Sequence, residues 1–215
     1  IDKELIKHIK VKNLISNKLG VINNTSGSSG KQFSFYVEPD FFGREWILAR
    51  YIWSKFIEDY NIKEPVINIR TFVPKNDEDI FYHDKFQNFY YVSPYHISNS
   101  YFNKIKTYIL NTKSRILRGY PSSIFLFSEI CNLNNYKFNS IKLIAVSSEM
   151  LISNYEKSIK KAFPNALICN QYGQNEGVLS LYKCKYGNWH NIDYYGYMEI
   201  NNKNELIGTS LLNYK

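Results

Sequence analysis

Apolar positions along the chain fall into alternating helical and strand rhythms. Residues 4–19 place Leu5, Ile6, Ile9, Leu14, Ile15 and Leu19 at mostly helical spacing with Lys between them, and Gly20 follows as a stop, so an amphipathic lead-in helix is expected. Phe33–Val37 is an aromatic and β-branched run that suits a strand, and Glu38-Pro39-Asp40 marks a turn. From Asp40 to about Tyr60, apolar residues recur at Phe42, Trp46, Ala49, Trp53, Phe56 and Tyr60, the spacing of a helix packed on one face. Val66–Phe72 and Phe89–Val92 read as buried strands, Ser98 to about Thr112 as a helix through Phe102, Ile105 and Ile109, and Arg115–Arg118 as a short strand. Pro121 suits the first turn of a helix reaching about Leu133, and Ile141–Val146 is a further buried strand. Ser153-x-x-Glu156 has the form of a capping box and opens a helix ending near Phe163. Ala166–Cys169 then reads as a strand that runs straight into Asn170-Gln171-Tyr172-Gly173.

Strand and helix thus alternate over most of the chain, which predicts an α/β fold with a mostly parallel sheet flanked by helices. Beyond Gly177 the rhythm changes. Val178–Cys184, Tyr194–Ile200 and Glu205–Leu211 read as successive strands with turns at Tyr186-Gly187-Asn188 and Asn201-Asn202, an antiparallel, strand-rich subregion. The expected organisation is an α/β part over residues 1–177 and a strand-rich continuation of the same domain over 178–215.

With 215 residues of which 44% are hydrophobic, the chain is long and apolar enough for one large domain with an extensive core, and disorder is excluded. No run of about 18 apolar residues occurs, so a membrane-spanning helix is not expected. The net charge of +8 favours an anionic partner such as a phosphate, a nucleotide, nucleic acid or an anionic membrane surface, although Lys is scattered along the whole chain and a compositional bias explains the charge at least as well. Cys131, Cys169 and Cys184 are odd in number and widely spaced, which argues against a disulfide framework and for a reducing, cytoplasmic compartment. The first residue is Ile1 and no signal-peptide block follows, so the chain is expected to begin inside a longer one.

Two stretches carry candidate chemistry. In Asn24-Thr25-Ser26-Gly27-Ser28-Ser29-Gly30-Lys31, glycines let the backbone approach a ligand while hydroxyls and a Lys donate hydrogen bonds, an arrangement suited to a polyphosphate. It is not a Walker A loop, since Gly27 and Gly30 are too close and no Ser or Thr follows Lys31; a flexible Gly/Ser connector is the competing reading. The second stretch, Asn170 to Gly177, lies at the carboxyl end of a buried strand, where open α/β sheets bind ligands. There Tyr172 could face a base, Asn175 could bond a phosphate and Glu176 could ligate the Mg²⁺ of a nucleotide, while an ordinary polar turn fits the same residues.

Taken together, the two stretches resemble the phosphate loop (Thr/Ser-Ser-Gly-Thr/Ser-Thr-Gly) and the later Tyr-Gly-x-Thr/Ser-Glu motif of adenylate-forming enzymes. The match is closest to the phenylacetate-CoA ligase-like branch, including members associated with capsular polysaccharide biosynthesis. Gly119-Tyr120-Pro121-Ser122, Ser147-Ser148-Glu149 and the segment Cys184–Glu199 are similar in kind and order, and Leu206–Asn213 looks like the strand that leads toward an Arg-Tyr-x-x-Gly-Asp motif. The resemblance covers roughly residues 20–213 and implies the middle of a longer enzyme, with the ribose-binding Asp, the hinge and the C-terminal lid with its Lys lying beyond Lys215. It implies that Thr25, Ser26, Gly27, Ser28, Ser29, Gly30 and Lys31 hold the phosphates of ATP and that Ser147, Ser148 and Glu149 border the adenine. Tyr172 would stack on that base, with Gln171 and Gly173 beside it. Asn175 would sit at the α-phosphate, Glu176 would hold Mg²⁺, and Gly119, Tyr120, Pro121 and Ser122 would line an acyl pocket.

The reaction implied is attack of a carboxylate on the α-phosphate of ATP, giving an acyl-adenylate and pyrophosphate, followed by transfer to a thiol such as coenzyme A. Some relatives hold zinc with residues similar to Cys184 and His190, which makes zinc a further candidate here, although these are two ligands where a closed site needs four, and a small buried Cys with a surface His is the favoured reading. Gln32 and Asn175 depart from the family pattern, which has Pro and Thr or Ser at those places. Two other readings compete: a nucleotide-binding remnant that cannot complete catalysis, and a basic nucleic-acid-binding module. Core-facing spacing of most aromatics argues against the latter.

Overall fold

The computed structural model describes residues 20–24, 34–70, 72, 76 and 79–212. The lead-in helix expected over residues 4–19 and the segment Thr25–Lys31 lie outside the described residues. In chain order the elements are β1 (Val21–Asn24), β2 (Ser34–Val37), α1 (Phe41–Ser54), β3 (Val66–Ile69), β4 (Phe81–Asp84), β5 (Phe89–Val92), α2 (Phe102–Thr112), β6 (Ile116–Gly119) and α3 (Pro121–Leu133). They continue with β7 (Leu143–Ser147), α4 (Ser153–Ala162), β8 (Leu167–Gly173), β9 (Ser180–Lys183), β10 (Trp189–Asn191), β11 (Gly196–Ile200) and β12 (Leu206–Ser210). The chain divides into two compact units: Ile1–Leu48 with Tyr172–Leu181 and His190–Lys215, and Ala49–Gln171 with Tyr182–Trp189.

The second unit is built on a sheet of order β10-β9-β8-β7-β6-β3-β5-β4, whose strands β8, β9 and β10 share residues with the first unit along the chain. Strand β3 pairs in parallel with both β5 and β6, β6 with β7 and β7 with β8, while β4 closes the edge antiparallel to β5. Side chains in register across parallel strands share a face. The row Ile67, Leu117, Ile144 and Ile168 faces the main core, which α2 completes with Phe102, Ile105 and Ile109, α3 with Ile124, Phe127 and Cys131, and α4 with Ile159 and Ala162. Burying each of the Ile, Leu and Phe side chains contributes about 1.5–3 kcal/mol, which is what holds these helices to the sheet. The alternate row, Tyr91, Asn68, Arg118, Ala145 and Cys169, occupies the other face.

The first unit contains two antiparallel pairs, β1 with β2 and β11 with β12. Gly196 is required by close approach: a Cβ there would lie 1.9 Å from the carbonyl oxygen of Val178. Tyr195 is buried and its hydroxyl donates to the Glu45 carboxylate.

The strand and helix rhythm of the sequence is realised, with shifts. The Ser153–Glu156 capping box does not form: Ile152 is the N-cap, Ser153 already lies inside α4, and no side-chain cap bond is made. One residue too far into the helix, the Ser153 hydroxyl cannot serve the third turn position, and the Glu156 carboxylate pairs with Lys160 at 2.6 Å instead. Helix α1 ends at Ser54 rather than near Tyr60, β3 stops at Ile69, and β8 extends through Gly173. Strands β1, β4 and β10 are additions, each too short to impose a visible period on the sequence.

Candidate active site

In the first unit, β1 and β2 bring the two ends of the Gly/Ser-rich segment side by side, with Asn24 opposite Ser34. The Ser34 hydroxyl donates to Asn24 Oδ1 at 2.6 Å, and the Asn24 N–H donates to Asn23 Oδ1 at 3.0 Å. The second motif reaches this point from across the sequence. Asn175 Nδ2 donates to the carbonyl oxygen of Asn24 at 3.2 Å, and Asn23 Nδ2 donates to the carbonyl oxygen of Asn175 at 3.1 Å. The turn carrying Asn175 and Glu176 is closed by Gly177, whose φ of 64° is the left-handed region and whose N–H donates to Gln174 O at 3.1 Å. Gln174 in turn accepts the Leu179 N–H, and the Ser210 hydroxyl donates to the Gly177 carbonyl. The last residue before Thr25 is therefore tied to Asn175. The Asn175 amide retains a second N–H for another acceptor. Tyr172 and Gly173 are exposed, and Glu176 is half-buried.

The remaining candidates gather in the second unit. Strand β3 neighbours both β5 and β6, so the order of the sheet reverses there, and open α/β sheets bind ligands outside the carboxyl ends of the strands at such a point. Gly119, the last residue of β6, leaves no room for a side chain: a Cβ would meet Ile69 O at 2.7 Å and Ile124 Cδ1 at 2.8 Å. Tyr120 caps α3 with extended backbone and no side-chain cap bond, and Pro121 starts the first turn. The missing cap comes from Glu149, whose Oε2 accepts the Ser122 N–H at 3.0 Å and so joins two of the predicted segments. Ser148 has a φ of 72°, an uncommon conformation for a residue with a Cβ. Its hydroxyl accepts Arg70 Nη2–H at 2.8 Å, and the Ser147 hydroxyl accepts from the same nitrogen at 3.3 Å. Gln171 accepts the indole N–H of fully buried Trp53 at 3.2 Å.

Arg70, Arg118 and Asn68 were not among the residues the sequence pointed to. The Arg70 guanidinium lies 4.5 Å from the centre of the Tyr120 ring, and that of Arg118 lies over Trp53 and Phe89 at 5.9 and 5.6 Å. Burial first, and then the Arg70 charge, pulls Arg118 down to about 9. Burial likewise lowers Arg70, against the opposing influence of Tyr120, Tyr91 and Glu149. The signal in the sequence was a guanidinium placed inside the short apolar run Ile116–Gly119 and another ending the run Val66–Ile69.

Among the described residues no group of three or more His, Cys, Asp or Glu side chains comes together to hold a metal ion. Cys184 opens the turn between β9 and β10, where its N–H donates to Asn188 O and its carbonyl accepts from Gly187. Neither it nor His190 belongs to a closed zinc site made of described residues, which needs a full tetrahedral ligand set. The carboxylate type of Glu176 suits Mg²⁺, which is ordinarily bound by one or two carboxylates with nucleotide phosphates and water completing the shell. No described helix is long and apolar enough to cross a membrane.

No family model matches the sequence, and no curated protein matches it. Solved structures do match its fold. A 2-hydroxyisobutyryl-CoA ligase in complex with 2-HIB-AMP and CoA superposes with a TM-score of 0.64 at 10% identity, over 94% of this chain and 50% of that one. The chain has the fold of the large domain of adenylate-forming enzymes. MbtA of Mycobacterium smegmatis has a TM-score of 0.59 at 10% identity, covering 90% of this chain and 37% of that chain. For VinN the values are 0.51, 13%, 87% and 46%. The chain thus spans half or less of the length of these three structures. Within the adenylate-forming fold, the sheet described above corresponds to the mostly parallel sheet that the sequence rhythm implied.

Proposed function

We propose that this chain is the nucleotide- and acid-binding core of an ATP-dependent ligase that activates a carboxylic acid as an acyl-adenylate and passes it to a thiol such as coenzyme A. The observation that carries the reading is the reciprocal hydrogen bonding of Asn175 with Asn23 and Asn24, which ties one motif of the resemblance to the threshold of the other. In the proposed reaction a carboxylate oxygen attacks the α-phosphorus of ATP, the bond from that phosphorus to its bridging oxygen breaks, and pyrophosphate leaves. Catalysis of this kind rests on positioning and charge stabilisation. Thr25–Lys31 bind the β- and γ-phosphates, the free N–H of Asn175 serves the α-phosphate, Tyr172 stacks on the base, and Ser147, Ser148 and Glu149 border it. Mg²⁺, when bound, supplies charge neutralisation, with Glu176 as its protein ligand. Gly119–Ser122 line the acyl pocket, where Gly119 also has the packing role already described. The branch proposed is the phenylacetate-CoA ligase-like one, with a surface or capsular polysaccharide precursor as the context.

Calorimetric titration with ATP and Mg²⁺, followed by carboxylate-dependent exchange of labelled pyrophosphate into ATP, tests this reading. Saturable, Mg²⁺-dependent ATP binding is expected, weakened about tenfold or more by Tyr172→Ala because base stacking is worth about 1–3 kcal/mol. A folded chain that does not bind ATP at millimolar concentration would overturn it.

A further inference from the structure

Strands in the middle of a parallel sheet are ordinarily apolar on both faces. Here one face obeys the rule and the other does not: Asn68 on β3 and Arg118 on β6 are direct ladder partners, with Tyr91 on β5 next in the row and Arg70 at the end of β3. Two other arginines in this unit have backbone or carboxylate oxygens on their guanidinium groups. Arg115, at the opposite end of β6, pairs with Asp59 and Glu64, and buried Arg50 donates to the carbonyls of Glu64 and Gln87 at 2.7 and 2.8 Å. Arg50 lies over the Trp53 and Phe89 rings as Arg118 does, and what sets Arg118 apart is that its guanidinium has neither a carbonyl nor a carboxylate acceptor among the described residues. Among the described residues neither Arg70 nor Arg118 forms an ion pair; Arg70 has two serine hydroxyls and the Tyr120 face, and Arg118 has the rings of Trp53 and Phe89. Arg70 Nε is a buried donor without a hydrogen-bond partner, whereas the Asn68 amide donates to Tyr91 and its buried Oδ1 is an acceptor that an anion does not serve. The Glu149 carboxylate that acts electrostatically on Arg70 is exposed and accepts the Ser122 N–H. Two guanidiniums that repel each other, with a buried donor unused, form a site short of negative charge.

We propose that Arg70, Arg118 and Asn68 bind a second anionic group of the acid, so that the substrate class is a dianionic acid: one carboxylate to be activated and a further carboxylate or phosphate held by the two arginines. This rests on the adenylation reading for the reacting carboxylate. Guanidiniums bind either anion through paired N–H donors, and the neutral amide of Asn68 can donate a further bond. The site lies at the carboxyl ends of β3 and β6, one residue before Gly119–Ser122, so an acid lying along that segment presents its far end to Arg118.

The test is calorimetry on the full 215-residue chain with the dicarboxylates malonate through adipate, each against the monocarboxylate of equal carbon number, and with 3-phosphonopropionate to separate phosphate from carboxylate. At least one dianion is expected to bind ten or more times tighter than its matched monoacid. Arg118→Met and Arg70→Gln are each expected to remove that advantage, and in Arg118→Met, which leaves the Arg70 bonds to Ser147 and Ser148 in place, ATP binding changes less than twofold. Unliganded Arg118→Met is further expected to melt at or above the wild-type temperature, because a half-buried charge without an ion-pair partner among the described residues has been replaced by an apolar side chain of similar length. A clear fall in melting temperature, or a tenfold loss of ATP affinity, would assign the arginines to structure or to the nucleotide and overturn the proposal. So would the absence of any dianion advantage. ATP binding without dianion preference defeats this inference alone, whereas dianion preference without ATP binding defeats the adenylation reading and leaves the anion site.

Discussion

Gly119 shows how little freedom a single position can have. A methyl group there would meet the backbone oxygen of Ile69 at 2.7 Å, and backbone cannot swing aside as a side-chain tip can. Gly119→Ala is therefore expected to lower stability by about 1–3 kcal/mol in a urea titration, the usual effect of overpacking. The cysteines make a second residue-scale case. Burial pushes the Cys131 thiol up to about 12 and raises Cys169 as well, whereas Cys184 is partly accessible at its turn. A thiol-reactive dye at neutral pH is expected to label Cys184 quickly and the other two only on unfolding, since the thiolate is the reacting species. Cysteine spacing in the sequence pointed to free thiols and the structure has them, but which thiol is accessible depends on burial.

At the scale of elements, helix α3 depends on a carboxylate from another segment. Glu149→Ala removes the acceptor for the Ser122 N–H and is expected to cost about 0.5–2 kcal/mol, the range measured for lost N-caps, with Glu149→Gln recovering part of it. The loops before β3 and β6 are joined by Arg115 with Asp59 and Glu64. The hydrogen bond from Arg115, followed by a backbone hydrogen bond, holds Asp59 below its ordinary value of 3.8. A carboxyl group depressed in the folded state adds stability above its unfolded value and loses it as pH falls through the folded one. Asp59→Asn should therefore lower the melting temperature slightly near neutral pH, with the difference from wild type closing as pH falls below about 4. The sequence made these elements legible to different degrees. Phe89–Val92 and Pro121–Leu133 are realised at the positions that periodicity and the helix-starting Pro implied. The hairpin strand β4 was hidden because Phe81-Tyr82-His83-Asp84 mixes exposed and half-buried positions, and its strand character comes from pairing with β5. The candidate site divided in the same way. Glycines and hydroxyls announce a loop by composition, while Asn68 and Arg118 acquire meaning only through the register between two strands far apart in the chain.

Across the whole molecule, stability should be graded. Strands β3, β6 and β7 are buried almost throughout, whereas β11 and β12, among the described strands, pair only with each other and leave Tyr197, Ile200, Leu206 and Ile207 exposed. Native-state hydrogen exchange is expected to show the slowest amides in the central strands and exchange faster by orders of magnitude in β11 and β12, because an isolated strand pair is marginal in water. Comparable protection in both would contradict that grading. The hydrogen bonds from Asn175 to the end of β1 add a temporal consequence. Their partners are separated by 151 positions, so a ribosome working at about 5–20 residues per second makes Asn24 roughly 8–30 s before Asn175 exists. Nearly all of the second unit is contained in the uninterrupted stretch Ala49–Gln171 and can collapse during that interval. The nascent chain therefore acquires the strands β3 to β7 first and closes the Asn24–Asn175 junction afterwards, so the ATP binding proposed for that junction would be a late event of biosynthesis.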